Sequence, residues 1–290
     1  PARRRKRLLG RFKREKVDAL LVTSVHNVRY LSGFSGDDSI LLIHPDGTTL
    51  ITDSRYAEQA EAETSGIHIH VRKSGLMRAA GTLARRSGTA RLGVEAMTLS
   101  LAQFDELGRH AGSIELRKTR GLVEGLRMIK DASEIRAIRQ AAHIAEQAFL
   151  DIMPSLRPGM TEIEAARLLD RRMEDLGAAG PAFPTIVAAG ERSSLPHAQP
   201  SGRRFRRGEP LLFDWGARFG LYHSDLTRVL FLYRIPPLFQ RLYPIVLEAQ
   251  SRAMRRLSVG RKTGAVDTAA REFLKSRRHG KHFGHSLGHG

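Results

Sequence analysis

Apolar positions in the first 120 residues fall in short runs separated by amphipathic stretches, the pattern of strands alternating with helices. Leu8 and Phe12 stand about one helical turn apart in a basic segment, and residues 19–23 read as a buried strand. Residues 39–43 and 48–52 flank Pro45, Asp46 and Gly47, whose dihedral preferences suit a hairpin turn. Asp53 is placed to cap a helix running to Ala62, and residues 67–71, 91–94 and 114–116 add further short strands. An α/β domain is predicted over residues 1–125.

Beyond it the period lengthens. Residues 121–130 form a connecting segment, and Asp131 with Glu134 has the spacing of a capping box. Ile135, Ile138, Ala142, Ala145, Phe149 and Ile152 then keep helical spacing until Pro154, Pro158 and Gly159 turn the chain. Thr161 and Glu164 repeat the capping pattern ahead of a helix with Ile163, Ala166, Leu169, Met173 and Leu176 on one face, closed by Gly177. A third helix is predicted over residues 238–257, although Pro244 inside it removes a hydrogen-bond donor, and a fourth begins near Val266. These elements, from residue 126 to 290, make a second domain of mixed α/β (α+β) character.

Composition narrows the classes. With 290 residues, 41% of them hydrophobic, the chain can build real cores, and no run approaches the roughly 20 apolar residues of a membrane helix. No membrane partner is expected, and a cytoplasmic protein is. The absence of cysteine removes disulfides, thiolate metal sites and cysteine nucleophiles, so any metal here is held by oxygen and imidazole. The net charge of +18 raises the question of a nucleic-acid partner. It resolves into three clusters: residues 3–16, residues 203–207, and a stretch from Arg252 to Lys281. None interleaves in sequence with aromatic residues that would stack on bases, so nucleic acid is not expected to bind.

The chemistry concentrates in three places. Asp214 and Asp225 lie in two apolar runs around Phe219 and Gly220. A two-residue hairpin loop there makes the two aspartates direct cross-strand partners, with Cβ atoms about 5 Å apart. Two carboxylates held that close in an apolar setting call for a cation or a shared proton. Second, residues 283–290 carry three glycines, His285 and His289. So glycine-rich a segment is no helix, and in an extended chain both imidazoles point to the same side. Third, the apolar run at residues 183–190 leads to Pro196 and His197, a proton donor or a turn residue.

Together the Phe-Pro-Thr-Ile-Val-Ala-Ala-Gly run at 183–190, Pro196-His197, the Asp214/Asp225 segment ending Ser-Asp-Leu-Thr-Arg at 224–228, and Gly-His-Ser-Leu-Gly-His-Gly at 284–290 resemble the pita-bread metallopeptidases, in particular the Xaa-Pro aminopeptidases and prolidases. The first half resembles that family's creatinase-type amino-terminal domain, in Asn-Val-Arg-Tyr-Leu-Ser-Gly-Phe at 27–34 and Asp-Ser-Arg-Tyr at 53–56. The resemblance implies two divalent metals, manganese before cobalt, with Asp214, Asp225 and His289 as ligands and Asp225 bridging. It implies His197 and His285 as catalytic histidines that orient substrate and stabilise the tetrahedral intermediate. Two further glutamate ligands lie after the histidine signature in that family and are expected beyond residue 290, so these residues alone are expected to bind metal weakly and to lack useful activity.

The implied reaction is hydrolysis of the peptide bond before proline, with a metal-activated nucleophile standing in for serine or cysteine. The expected partner is a proline-containing peptide, and a homodimer is expected by likeness. An Xaa-Pro aminopeptidase is the first reading and an Xaa-Pro dipeptidase, or prolidase, the alternative. A creatinase-like amidinohydrolase needs no metal, so the paired aspartates and His289 count against it. A pita-bread adaptor binding nucleic acid or ribosomes would be expected to lose ligands, whereas Asp214, Asp225 and His289 are all in place.

Overall fold

A computed structural model describes residues 1–288 of the chain, which divides into two compact units meeting between Asp131 and Ala132. In the first unit, strands β1 (Ala19–Val22), β2 (Ile40–His44), β3 (Gly47–Thr52), β4 (His68–Val71), β5 (Arg91–Glu95) and β6 (Glu115–Thr119) form one sheet in the order β4-β3-β2-β1-β5-β6. The β2–β3 hairpin closes at His44 and Gly47, with Pro45 and Asp46 as its loop. Alternate residues of the strands enter two different cores. Leu20, Val22, Leu41, Ile43 and Leu50 pack with side chains of α1 (Ala2–Leu9), α2 (Phe12–Glu15), α3 (Val25–Ser32), α4 (Ala57–Glu63) and α7 (Glu124–Arg127). Ala19, Leu21, Ile40, Leu42, Ile51 and Val94 pack instead with α5 (Leu76–Arg86) and α6 (Leu101–Ala111). The sheet is therefore buried on both faces, as its near-continuous apolar strands require.

Two sequence expectations shift here. Asp53 does cap, accepting from the Arg55 N–H at 2.9 Å, but its first product is a single 3₁₀ turn ahead of α4. The predicted domain boundary at 125/126 falls inside α7, and Leu126 is buried in the first unit's core, which carries that unit on to Asp131.

The second unit opens with α8 (Ala132–Ile152) and α9 (Glu162–Asp175), and ends with α10 (Pro237–Arg256) and α11 (Thr263–Ser276). Between the helix pairs, β7 (Ile186–Ala189), β8 (Pro210–Trp215) and β11 (Leu226–Phe231) form an antiparallel sheet in the order β11-β8-β7, with the short pair β9 (Arg218–Phe219) and β10 (Tyr222–His223) beyond it. The capping box at Thr161 forms with both of its hydrogen bonds, 2.7 and 3.1 Å. Along α8 the predicted stripe holds from Ala145 onward and is rotated before it. Ile135 is 41% exposed, while Glu134 and Ala141 are buried, and Glu134 accepts the Tyr222 hydroxyl at 2.8 Å. A buried carboxylate with that partner displaces the apolar residue which spacing alone places inward. Pro244 sits within an unbroken α10. Among the described residues no helix is long and apolar enough to cross a membrane.

Candidate metal centre

The site is built on a sheet with one dry face. Val187, Ala189, Leu211, Phe213 and Trp215 point at α8 and α9 and share their core. Trp215 fixes the contact: it is 1% exposed, its ring stacks on Phe149 at 4.3 Å, and its Nε1–H donates to the Ala145 carbonyl at 3.0 Å. Because side chains alternate along a strand, Asp214 between Phe213 and Trp215 must point to the opposite face. Ile186, paired with Asp214, Leu212 and Thr227 share that face.

The cross-strand register differs from the one predicted. Phe219 pairs with Tyr222, so the loop is Gly220–Leu221, with Gly220 at φ +58. Asp214 consequently lies opposite Thr227, whose hydroxyl donates to its Oδ1 at 3.1 Å, and Trp215 lies opposite Leu226. Asp225 is level with Gly216 and is a diagonal rather than a direct neighbour of Asp214. On a regular sheet that spacing is roughly 7–8 Å between Cα atoms. The displacement is by two residues, an even number, so both carboxylates remain on the same face.

Gly216 and Ser224 make this arrangement possible, and the sequence reading gave neither a role of its own. A Cβ on Gly216 would lie 1.8 Å from the Ser224 carbonyl oxygen, so only glycine permits the strand approach beside Asp225. Ser224 is buried; its Oγ accepts from the Ala217 N–H at 2.9 Å and donates to the Ala141 carbonyl of α8 at 3.0 Å. The serine preceding Asp225 thus ties the hairpin to the helix beneath it.

The Asp214 carboxyl is electrostatically perturbed. Its half-buried position pushes the carboxyl above the ordinary carboxylate range; the Thr227 hydrogen bond opposes that shift, the Asp225 charge adds to it, and His197 opposes it. Asp225 and His197 are therefore each within electrostatic reach of Asp214. His197 lies on an exposed turn following β7, and its neighbour Ala198 is buried against Ile186, Ala188 and Leu212 on the aspartate face.

His285 is not drawn into this group by any of its described contacts. Its ring lies 5.6 Å from that of Phe283, its Nδ1 is 2.6 Å from the Ser286 carbonyl oxygen, and its own carbonyl accepts from Arg271 at 3.0 Å. His289 lies outside the described residues. Among those residues no three histidine, aspartate or glutamate side chains converge as a complete metal site. Asp214 and Asp225 nevertheless suit a divalent cation: they are two oxygen donors on one face, one of them held where its own charge is unfavourable.

Residues 136–290 match the metallopeptidase family M24, and residues 4–129 match the creatinase/prolidase amino-terminal domain. The chain belongs to metallopeptidase family M24. M24 enzymes use a dinuclear divalent metal centre. Among M24 relatives, the Xaa-Pro dipeptidase of Pyrococcus horikoshii is 32% identical over 286 residues, 98% of this chain and 80% of that protein. The structure of an Xaa-Pro dipeptidase from Bacillus anthracis superimposes with a TM-score of 0.96 at 34% identity, covering 99% of this chain and 81% of that one. That of an X-Pro aminopeptidase from Thermotoga maritima gives a TM-score of 0.88 at 35% identity, covering 96% and 79%. The M24 assignment accounts for the mixed α/β architecture.

Proposed function

We propose that this protein hydrolyses Xaa-Pro dipeptides in a metal-dependent reaction, with Asp214, Asp225 and His289 among the metal ligands and manganese as the preferred ion. The aminopeptidase reading of the sequence yields to the dipeptidase one on the names of the relatives, which include Xaa-Pro dipeptidases or prolidases from two Pyrococcus species and from Bacillus anthracis. The observation that supports the proposal is that Asp214 and Asp225 share one sheet face, with His197 within electrostatic reach of Asp214. Hard oxygen donors with little imidazole favour manganese or cobalt over zinc.

A divalent metal pair supplies a water nucleophile of lowered pKa at neutral pH. Asp214 and Asp225 would hold the cation on their face of the sheet, and Thr227 fixes the orientation of the Asp214 carboxylate. His197 donates a hydrogen bond to the oxygen that gains charge as the peptide carbon becomes tetrahedral. By likeness to the family His285 would take the second substrate-orienting role, which requires it to leave its contact with the Ser286 carbonyl. The tertiary amide before proline has no N–H, so selectivity falls on the proline ring and the substrate's free ends.

The test uses the full-length protein with added manganese, comparing Xaa-Pro dipeptides with Xaa-Pro tripeptides and longer peptides. Preferential cleavage of dipeptides, abolished by a chelator and restored by manganese, is the expected result. Cleavage confined to longer peptides would favour the aminopeptidase, the reading supported by the Thermotoga structure. Hydrolysis indifferent to a chelator would refute the mechanism.

A further inference from the structure

The segment bearing His197 is held by a carboxylate that touches neither the metal ligands nor His197. Glu162, the first residue of α9, is fully buried. Its Oε1 accepts from the Ala189 N–H, at the end of β7, at 2.9 Å. Its Oε2 accepts from the Ser201 N–H at 2.9 Å and from the Ser201 hydroxyl at 2.6 Å. Ala189 and Ser201 bracket residues 190–200, so one carboxylate closes both ends of the loop. Arg192, inside the loop, donates its Nε–H to both Glu162 oxygens at 3.2 Å and its Nη2 to the Gln199 carbonyl at 2.7 Å. The guanidinium thus links Glu162 to a residue two positions past His197, while Ala198 seats the turn on the aspartate face.

We propose that Glu162 is a positioning residue for His197, which it sets relative to Asp214 by closing the 190–200 loop through Ala189, Arg192 and Ser201. This rests on the reading of His197 as a donor to the substrate. A fully buried carboxylate is costly unless its oxygens are satisfied, and all four donors here, which make five hydrogen bonds, come from the loop or its two ends. The thermodynamic demand to keep Glu162 paired is therefore also a demand to keep the loop shut. The capping of α9 belongs to Thr161 and Glu164, so Glu162 is not needed for that role.

In the full-length enzyme, Glu162→Gln sets an amide N–H₂ against loop donors. It is expected to lower kcat on an Xaa-Pro dipeptide by 10-fold or more with little change in KM, and to speed amide exchange at residues 190–200 while residues 211–215 stay protected. Ser201→Ala, which removes the hydroxyl's bond to Glu162 and its acceptance from the Arg203 N–H at 3.2 Å but keeps the Ser201 N–H bond, is the milder variant that remains informative should Glu162→Gln not fold; a loss of kcat of a few fold is expected. In a double-mutant cycle with His197→Ala, the second substitution is expected to add almost nothing, because both act through one side chain. Losses that multiply, or loop exchange that stays at the wild-type rate, would overturn the proposal. Should His197→Ala keep wild-type kcat while Glu162→Gln still loosens the loop, the reading of His197 is what fails, and the positioning role goes with it.

Discussion

Gly216 shows how one position governs the centre. Its α-hydrogen faces the Ser224 carbonyl in space where a methyl group cannot go, since the clash is with backbone and not with a flexible side-chain tip. Gly216→Ala must therefore part the hairpin beside Asp225. Overpacking of this kind costs about 1–3 kcal/mol. We expect a lower melting temperature and at least a 100-fold loss of peptidase activity in the full-length protein, with manganese affinity reduced in calorimetric titration; unchanged affinity would show that the hairpin does not set the Asp225 position. A second residue-scale prediction concerns Glu95 in the first unit. Its Oε1 accepts from Asn27 Nδ2 at 2.6 Å and its Oε2 from the Thr23 and Ser24 N–H groups at 2.7 and 2.8 Å. Burial outweighs these bonds and pushes its carboxyl above the ordinary range, with the Glu124 charge adding to the shift. A raised carboxyl pKa means that the folded state holds the proton more tightly than the unfolded state, so this group's contribution to stability is lost as pH rises through the folded value. Glu95→Gln does not titrate and loses hydrogen-bond acceptance towards Asn27. The stability gap between wild type and Glu95→Gln should be widest below about pH 4.5, the ordinary glutamate value, and narrow as pH rises in urea titrations; a gap that widens with pH would reverse the sign.

Among the elements, those whose signals are local could be read from sequence. The β2–β3 hairpin follows from Pro45-Asp46-Gly47, and the start of α9 from Thr161 and Glu164, because turn and cap chemistry acts within four residues. The hairpin that carries Asp214 and Asp225 could be read only to its parity. Phe219, Gly220 and Leu221 allow more than one two-residue loop, and Gly220 takes the first loop position rather than the second. An even displacement preserves the shared face of Asp214 and Asp225 while changing their distance. What could not be read is non-local: Glu134 displaces Ile135 from the α8 stripe through Tyr222, and Glu162, seemingly one more acid in a first turn, finds its partners 27 to 39 residues away. Ser224 is of the same kind, since its value lies in joining the hairpin to α8. Ser224→Ala leaves the Ala217 N–H without that acceptor in a buried setting, at a cost of about 1–3 kcal/mol. A fall of that size in unfolding free energy, measured by urea denaturation, is the expected outcome, and a change near zero would mean that water or a neighbouring carbonyl takes over the bond.

At the scale of the whole molecule, the +18 charge is partly absorbed by ring faces that sequence spacing does not reveal. Arg252 lies 4.1 Å from the centre of the Phe273 ring, and Arg207 lies 4.2 Å from that of Tyr233, so these two aromatic faces are covered by the protein's own guanidinium groups. The charge is thus spread over units that are each built around their own cores. The first unit is the more self-sufficient: its six strands bury both faces under helices of the same unit, and α7 and Leu126 complete that packing before the boundary at Asp131. Arg11 reinforces the closure, donating to the Leu122 and Gly125 carbonyls at 2.8 and 3.1 Å, and Arg127 donates to Asn27 Oδ1 at 2.9 Å. A sheet covered on both sides within about 130 residues meets the general conditions for independent folding. We therefore expect residues 1–131, expressed alone, to be monomolecular in their folding and to unfold in a single cooperative transition detected alike by circular dichroism and by tyrosine fluorescence. Cutting instead at residue 125 removes Leu126 from the core and the Arg127 contact with Asn27, and should lower the stability of that fragment by about 2–5 kcal/mol, the range for deleting a large buried apolar side chain. Equal stability of the two fragments, or a broad non-cooperative transition in the longer one, would show that α7 does not belong to the first unit's fold.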